Sequence, residues 1–286
     1  MSPRTRAFAQ VDVFSNTAYL GNPVAVVLDA DGLTDDDMAR LARWTNLSET
    51  TFVLPPTDPK ADYRLHIFTP GGELPFAGHP TLGSAHAWLE AGGRPKNSEH
   101  LVQECAAGLI TLRNVPDADG LERLAFEAPA TLHSGPIAEA LLAEIVDALG
   151  ISPDEIVAHE VVDNGPGWVC LQLTSAERVL QLEPKFAADS NLMLGLVGAY
   201  PVGSAAAFEL RAFAPKIGVF EDPVTGSLNA SVAQWLYRTG AIAGSFVASQ
   251  GARVGRQGTI ALFQDDQGAV WVGGPTVTCI TGTINI

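Results

Sequence analysis

The chain has 286 residues, 47% hydrophobic and 17% charged, which is enough apolar material for a sizeable core and excludes a disordered chain. Its 32 acidic residues outweigh 17 basic ones, and the net charge of −15 removes the attraction to phosphate backbones on which nucleic-acid binding rests. With 28 glycines and 19 prolines the composition fits many short strands joined by turns, so a strand-rich α+β protein is expected.

The opening residues lead into strand-like alternation rather than an apolar run ending in a cleavage site, so no targeting segment and a cytoplasmic location are expected. Phe8 to Phe14 alternate as a strand, and Val24 to Leu28 form a second apolar run after the turn Gly21-Asn22-Pro23. Thr34 then reads as a helix N-cap, with Asp35, Asp36 and Asp37 at the positive end of the macrodipole. Met38, Leu41 and Ala42 supply the apolar face, the pattern ends near Asn46, and Ser48 to Leu54 reads as the next strand.

The two halves of the chain repeat each other faintly. Tyr63-Arg-Leu65-His66-Ile-Phe68-Thr-Pro70 resembles Phe208-Glu-Leu210-Arg211-Ala-Phe213-Ala-Pro215, and His79-Pro80-Thr-Leu-Gly83-Ser84 resembles Asp222-Pro223-Val-Thr-Gly226-Ser227. Each second match is read as opening a helix, with proline in the first turn and an apolar run to about Ala91 and Tyr237. Two copies half a chain apart imply two similar domains, expected at 1–130 and 131–275. A last strand near 276–286 is expected to return to the first domain. Uncharged stretches at 190–208 and 268–286 are broken by glycine and proline and read as buried strands, not membrane spans.

A helix start offers unpaired N–H groups and a positive dipole end, so two such starts suggest a paired site for a carboxylate or phosphate. Gly83 and Gly226 in the first turns would permit close approach, and Ser84 and Ser227 would donate hydroxyls. The residue before each proline is titratable, His79 in one copy and Asp222 in the other, and the pair would orient a substrate and move protons across an interdomain cleft. Glu49, where a helix hands over to an apolar strand, is a third candidate, because partial burial would bring a carboxyl toward the range useful in acid/base work. Asn22 could hydrogen-bond a substrate. Taken singly each has a plainer role: Asp before Pro is a common helix-entry residue, a lone His is often structural, and Gly-Asn-Pro is first a turn.

Other chemistries find little support. The six histidines include no HExxH, the cysteines Cys105, Cys170 and Cys279 have neither CxxC nor Cys/His spacing, and neither a Walker loop nor GxSxG occurs. No metal is expected, and the cysteines read as reduced core thiols. Gly251-Ala-Arg253-Val-Gly255-Arg256 could meet an anion but reads first as a turn with exposed arginines.

Asp12-Val-Phe14, Gly21-Asn22-Pro23-Val-Ala-Val, Asn46-Leu-Ser-Glu49-Thr-Thr-Phe52, Glu73-Leu-Pro-Phe-Ala-Gly78-His79-Pro80-Thr and Glu221-Asp222-Pro223-Val-Thr-Gly226-Ser227, in this order, resemble the phenazine-biosynthesis PhzF-like family. The resemblance spans most of the chain, with little contributed by 129–201. It implies a diaminopimelate-epimerase-like fold: two pseudo-symmetric domains, each a curled, mostly antiparallel sheet around a central helix, with the active site in the cleft between them. Related epimerases use one cysteine from each half, whereas these helix-entry positions hold His79 and Asp222. In the family's isomerase of trans-2,3-dihydro-3-hydroxyanthranilate a glutamate shuttles a proton between substrate carbons, and Glu49 matches it. By the same resemblance Asn22, His79 and Asp222 bind polar substrate groups, Gly78 and Ser227 hold a carboxylate, no cofactor is needed, and the protein is a homodimer. The expectation is therefore a cofactor-independent isomerase of a small carboxylate, with a non-catalytic binding or regulatory protein that retains the cleft as the alternative.

Overall fold

The computed structural model describes residues 4–116 and 122–286. In chain order the elements are β1 (Thr5–Val13), β2 (Asn22–Val27), α1 (Asp35–Thr45), β3 (Glu49–Leu54), β4 (Tyr63–Thr69), β5 (Gly72–Leu74), α2 (Gly78–Glu90), β6 (Leu101–Cys105), β7 (Gly108–Pro116) and β8 (Glu122–Glu127). They continue with β9 (His133–Gly135), α3 (Glu139–Leu149), β10 (Ile156–Asp163), β11 (Val169–Leu173), α4 (Ala176–Gln181), β12 (Leu194–Ala199) and β13 (Phe208–Ala214). The last are β14 (Val219–Asp222), α5 (Gly226–Arg238), β15 (Phe246–Gln250), β16 (Gly258–Gln264), β17 (Val270–Gly273) and β18 (Thr276–Asn285). The fold is α+β. It divides into one unit of residues 1–127 and 273–286 and a second of residues 128–272.

In the first unit β1 is flanked by β2 and β18, both antiparallel, so the end of the chain closes the sheet begun by its start. β2 runs parallel to β3 and β3 antiparallel to β4, which places Asn22 and Glu49 at the same end of neighbouring strands, with Val24 opposite Glu49. α1 begins where the sequence predicts: Thr34 and Asp37 form a reciprocal capping box, and Asn46 ends the helix in the left-handed region. α2 is the centre of this unit. It packs against β1, β2, β3 and β8 and is buried from Gly78 to Ala85, as a helix almost without charge must be.

In the second unit β13 is sandwiched between antiparallel β12 and parallel β15. The apolar core gathers Ile145, Leu149, Leu171, Leu194, Leu196 and Phe213. α5 is its nonpolar helix, buried at Leu228, Ala230, Val232, Ala233 and Leu236.

Several details differ from the sequence expectation, among them β18, which is half-buried to exposed along its length rather than buried. The repeated strands begin at Tyr63 and Phe208, 145 positions apart, but the helices begin at Gly78 and Gly226, 148 apart. His79-Pro80 therefore lies inside the first turn of α2, whereas Asp222 ends β14 and Pro223 precedes its helix. For the same reason Gly83 and Ser84 are not in a first turn: Gly83 packs on Val24, and the Ser84 hydroxyl is bonded to Thr51 at 2.8 Å. The cysteines are free thiols, with Cys170 buried but Cys105 and Cys279 only half-buried. No helix among the described residues is long and apolar enough to cross a membrane.

Candidate active site

The first unit brings four of the predicted residues together. The tight turn before β2 holds Asn22: Asp12 accepts a hydrogen bond from the Gly21 N–H at 3.2 Å, and a side chain at Gly21 would come within 2.5 Å of the Val13 carbonyl. Asn22 Nδ2 lies 3.4 Å from His79 Nδ1, and His79 Nε2 lies 3.2 Å from Glu49 Oε2. The imidazole thus stands between the amide and the carboxylate at the start of α2, with Gly78 beside it.

Burial controls the charge of this group. His79 is 4% exposed. Desolvation drives its pKa down to about 3, and a hydrogen bond with the Pro23 backbone offsets only part of that. At neutral pH the ring is therefore uncharged, so its contact with Glu49 is a neutral imidazole against a carboxyl, not an ion pair. Glu49 itself keeps a side chain 14% exposed, at the first position of β3.

The entry to α2 has a further property. Its N-cap is Ala77, which offers no side-chain acceptor, and the first intrahelical bond runs from the Thr81 N–H to the Ala77 carbonyl. Pro80 has no N–H, so the Gly78 and His79 amides are the polar groups of this helix start.

The second unit holds the other two predicted residues on either side of one short loop, Asp222 at the end of β14 and Ser227 in the first turn of α5. Asp222 Oδ2 accepts from the Thr225 hydroxyl. Ser227, in the first turn of α5, accepts a hydrogen bond from Trp168 Nε1 at 3.0 Å, and its carbonyl accepts from Asn164 Nδ2 at 3.1 Å. Beneath β14 the adjacent Glu221 forms a two-pronged pair with Arg211 at 2.9 and 2.8 Å, and Arg211 also donates to the Val179 and Leu182 carbonyls at 3.0 and 2.6 Å. Both ends of that pair are buried. The glycine-rich segment after β15 makes a short 3-10 turn at Ala252–Val254 in which Arg253 is exposed and pairs with Glu183, whereas Arg256, also expected to be exposed, is half-buried.

Sequence reasoning missed Thr225, Gln250, Trp168 and Asn164. Thr225 lay inside a quoted motif but drew no attention beside a glycine and a serine. Gln250, Trp168 and Asn164 belong to no motif, and their polar ends meet the loop only through tertiary pairing.

Comparison with known proteins follows the same lines. Residues 11–282 match the phenazine biosynthesis-like protein family, PhzC-PhzF. The chain is 41% identical over 293 residues to antisense-enhancing sequence 1 of Schizosaccharomyces pombe, covering 96% of this chain and 97% of that one. It is 38% identical over 236 residues to trans-2,3-dihydro-3-hydroxyanthranilate isomerase of Pseudomonas fluorescens, covering 81% and 80% respectively. The crystal structure of a PhzF-family phenazine biosynthesis protein from Bacillus anthracis shares the fold with a TM-score of 0.82 at 22% identity, over 99% of this chain and 100% of that one. The architecture is that of the diaminopimelate-epimerase-like superfamily of α+β enzymes. Within it, the chain belongs to the phenazine biosynthesis-like family and is an isomerase.

Proposed function

We propose that this isomerase moves a proton between two carbons of a small carboxylate-bearing molecule, cyclic or amino-acid-like, and that Glu49 is the proton shuttle. In this reading the Glu49 carboxylate takes a proton from one substrate carbon, the electron pair left behind shifts through the conjugated substrate, and the carboxylic acid returns the proton to another carbon. Nothing is oxidised or reduced, and acid/base work by positioned side chains is sufficient. His79 and Asn22 fix the carboxylate and contact polar substrate groups. The Gly78 amide, at a helix start with no side-chain cap, binds the substrate carboxylate. Asp222 binds a polar substrate group and Ser227 helps to hold a carboxylate.

The observation that carries this reading is the row of buried Asn22, buried His79 and half-buried Glu49, in which the imidazole stays neutral. A protonated histidine would hold Glu49 as a spectator anion. A neutral one orients it without cancelling its charge, so that it remains a base. The relatives whose names specify trans-2,3-dihydro-3-hydroxyanthranilate make that compound the first substrate to try. As a second element of the proposal, the enzyme works as a cytoplasmic homodimer, which light scattering tests.

The functional test is turnover of this compound and related cyclic and amino-acid-like carboxylates by the wild-type protein and by Glu49→Gln. We expect turnover to fall by about 100-fold or more in the variant, the scale of a lost acid/base group. Binding, followed as a ligand-induced rise in melting temperature, should persist. Equal binding by both proteins with no turnover of any carboxylate by the wild type would instead support a non-catalytic binding protein.

A further inference from the structure

The loop that carries Asp222 is governed by a residue from a distant strand. Gln250 ends β15, is 2% exposed, and touches the loop through both atoms of its amide. Its Oε1 accepts from the Thr225 N–H at 3.0 Å and from Asn229 Nδ2 at 2.9 Å. Its Nε2 donates to the Asp222 carbonyl at 3.1 Å and to Thr225 Oγ1 at 2.9 Å.

Only one orientation of that amide is chemically consistent. A backbone N–H can only donate and a backbone carbonyl can only accept. The Thr225 N–H therefore fixes the end that must be oxygen, and the Asp222 carbonyl fixes the end that must be nitrogen. Asn229 is oriented too, because its Nδ2 also donates to the Thr225 carbonyl at 2.9 Å. With Nε2 donating into Thr225 Oγ1, the single hydroxyl proton of Thr225 is directed to its other neighbour, Asp222 Oδ2.

We propose that Gln250 is a positioning residue for Asp222: by donating to the Thr225 hydroxyl it aims that hydroxyl's proton at the carboxylate, holding it ionised and in one rotamer. The effect reaches substrate only through Asp222, so its catalytic consequence rests on the assignment of Asp222 as a substrate-binding group. The first unit supplies an internal control. Gln103, fully buried on β6, donates to Thr81 Oγ1 at 3.0 Å and accepts from the Tyr63 hydroxyl at 3.0 Å. In both units a glutamine on the strand lying parallel to the repeated strand thus reaches back to a threonine at the start of the buried helix. Among the described residues, no carboxylate is hydrogen-bonded to the Thr81 hydroxyl.

The test uses protein labelled with carbon-13 at the aspartate carboxyls, with the Asp222 signal assigned by its loss in Asp222→Asn. A hydroxyl donor favours the charged form of a carboxylate, so the Asp222 signal should titrate at higher pH in Gln250→Met and in Thr225→Val than in wild type. Thr225→Ser, which keeps the hydroxyl, should restore the wild-type titration, and Gln103→Leu should lower stability without moving it. If Gln250→Met does not fold, Thr225→Val and its serine rescue still decide. An unmoved Asp222 titration in folded Thr225→Val overturns the proposal. Kinetics with trans-2,3-dihydro-3-hydroxyanthranilate provide the second arm: Thr225→Val should raise KM more than it lowers kcat. If the titration moves while turnover of this compound matches wild type, the positioning role stands and the assignment of Asp222 to substrate binding falls.

Discussion

A histidine held neutral inside a protein leaves a mark on its pH stability. Native His79 binds a proton only near pH 3, whereas the same imidazole in the unfolded chain binds one below about pH 6.5. Between those values the unfolded state carries more protons, so stability falls as pH falls, by up to about 1.4 kcal/mol per pH unit from this group. Above about pH 6.5 the group contributes no slope. Urea titrations of wild type and His79→Asn between pH 4 and 8 check this: the variant should lose part of the acid-side slope and none of the neutral plateau's flatness. Parallel pH curves for the two proteins would show that His79 titrates normally in the native state. His79 and Glu49 were visible in the sequence because they stand in compact motifs; that Nε2 of one faces Oε2 of the other was not, since their approach depends on how α2 lies across β2 and β3.

At the scale of elements, the close seating of α2 on its sheet depends on an absent side chain. A Cβ at Gly83 would lie 2.4 Å from Val24 Cγ1 and 3.0 Å from Val13 Cγ2, and both valines are fully buried. In an open helix Gly→Ala gains up to about 1 kcal/mol, but overpacking a closed core costs about 1–3 kcal/mol. Gly83→Ala should therefore be destabilised on balance, read as a lower urea midpoint at unchanged m-value. β14 is anchored differently. Arg211→Met leaves Glu221 buried without its partner and should cost about 3–5 kcal/mol, while Arg211→Met with Glu221→Leu should recover much of the loss. The duplication explains how far the sequence could be read here. Alternating strands and the apolar helices were legible because periodicity follows local geometry, as was the Thr34 cap. The helix registers were not: the likeness of His79-Pro80-Thr-Leu-Gly83-Ser84 to Asp222-Pro223-Val-Thr-Gly226-Ser227 joined positions that the structure sets apart, because the connection from β13 to β14 is longer than that from β4 to β5. Composition cannot reveal such an insertion.

The whole molecule carries a net charge of −15, and self-repulsion among like charges opposes the folded state. Added salt screens that repulsion, the Debye length shrinking from about 30 Å at 0.01 M to about 10 Å at 0.1 M. The melting temperature should accordingly rise between 0.01 M and 0.1 M sodium chloride, and a flat or falling value would show that local attractive pairs such as Arg4 with Asp29 dominate instead. The α+β class followed from strand patterning and from a composition rich in turn residues. The chemistry is another matter, because a shared fold hosts many proton transfers, and no pattern of residues names the carbon from which a proton leaves.

Solvent exchange follows that proton directly. The wild-type protein, incubated with trans-2,3-dihydro-3-hydroxyanthranilate in deuterium oxide, should place deuterium on carbon in the product, and Glu49→Gln should place none at matched protein concentration. Equal deuterium incorporation at carbon by the two proteins would contradict the assignment of the shuttle to Glu49.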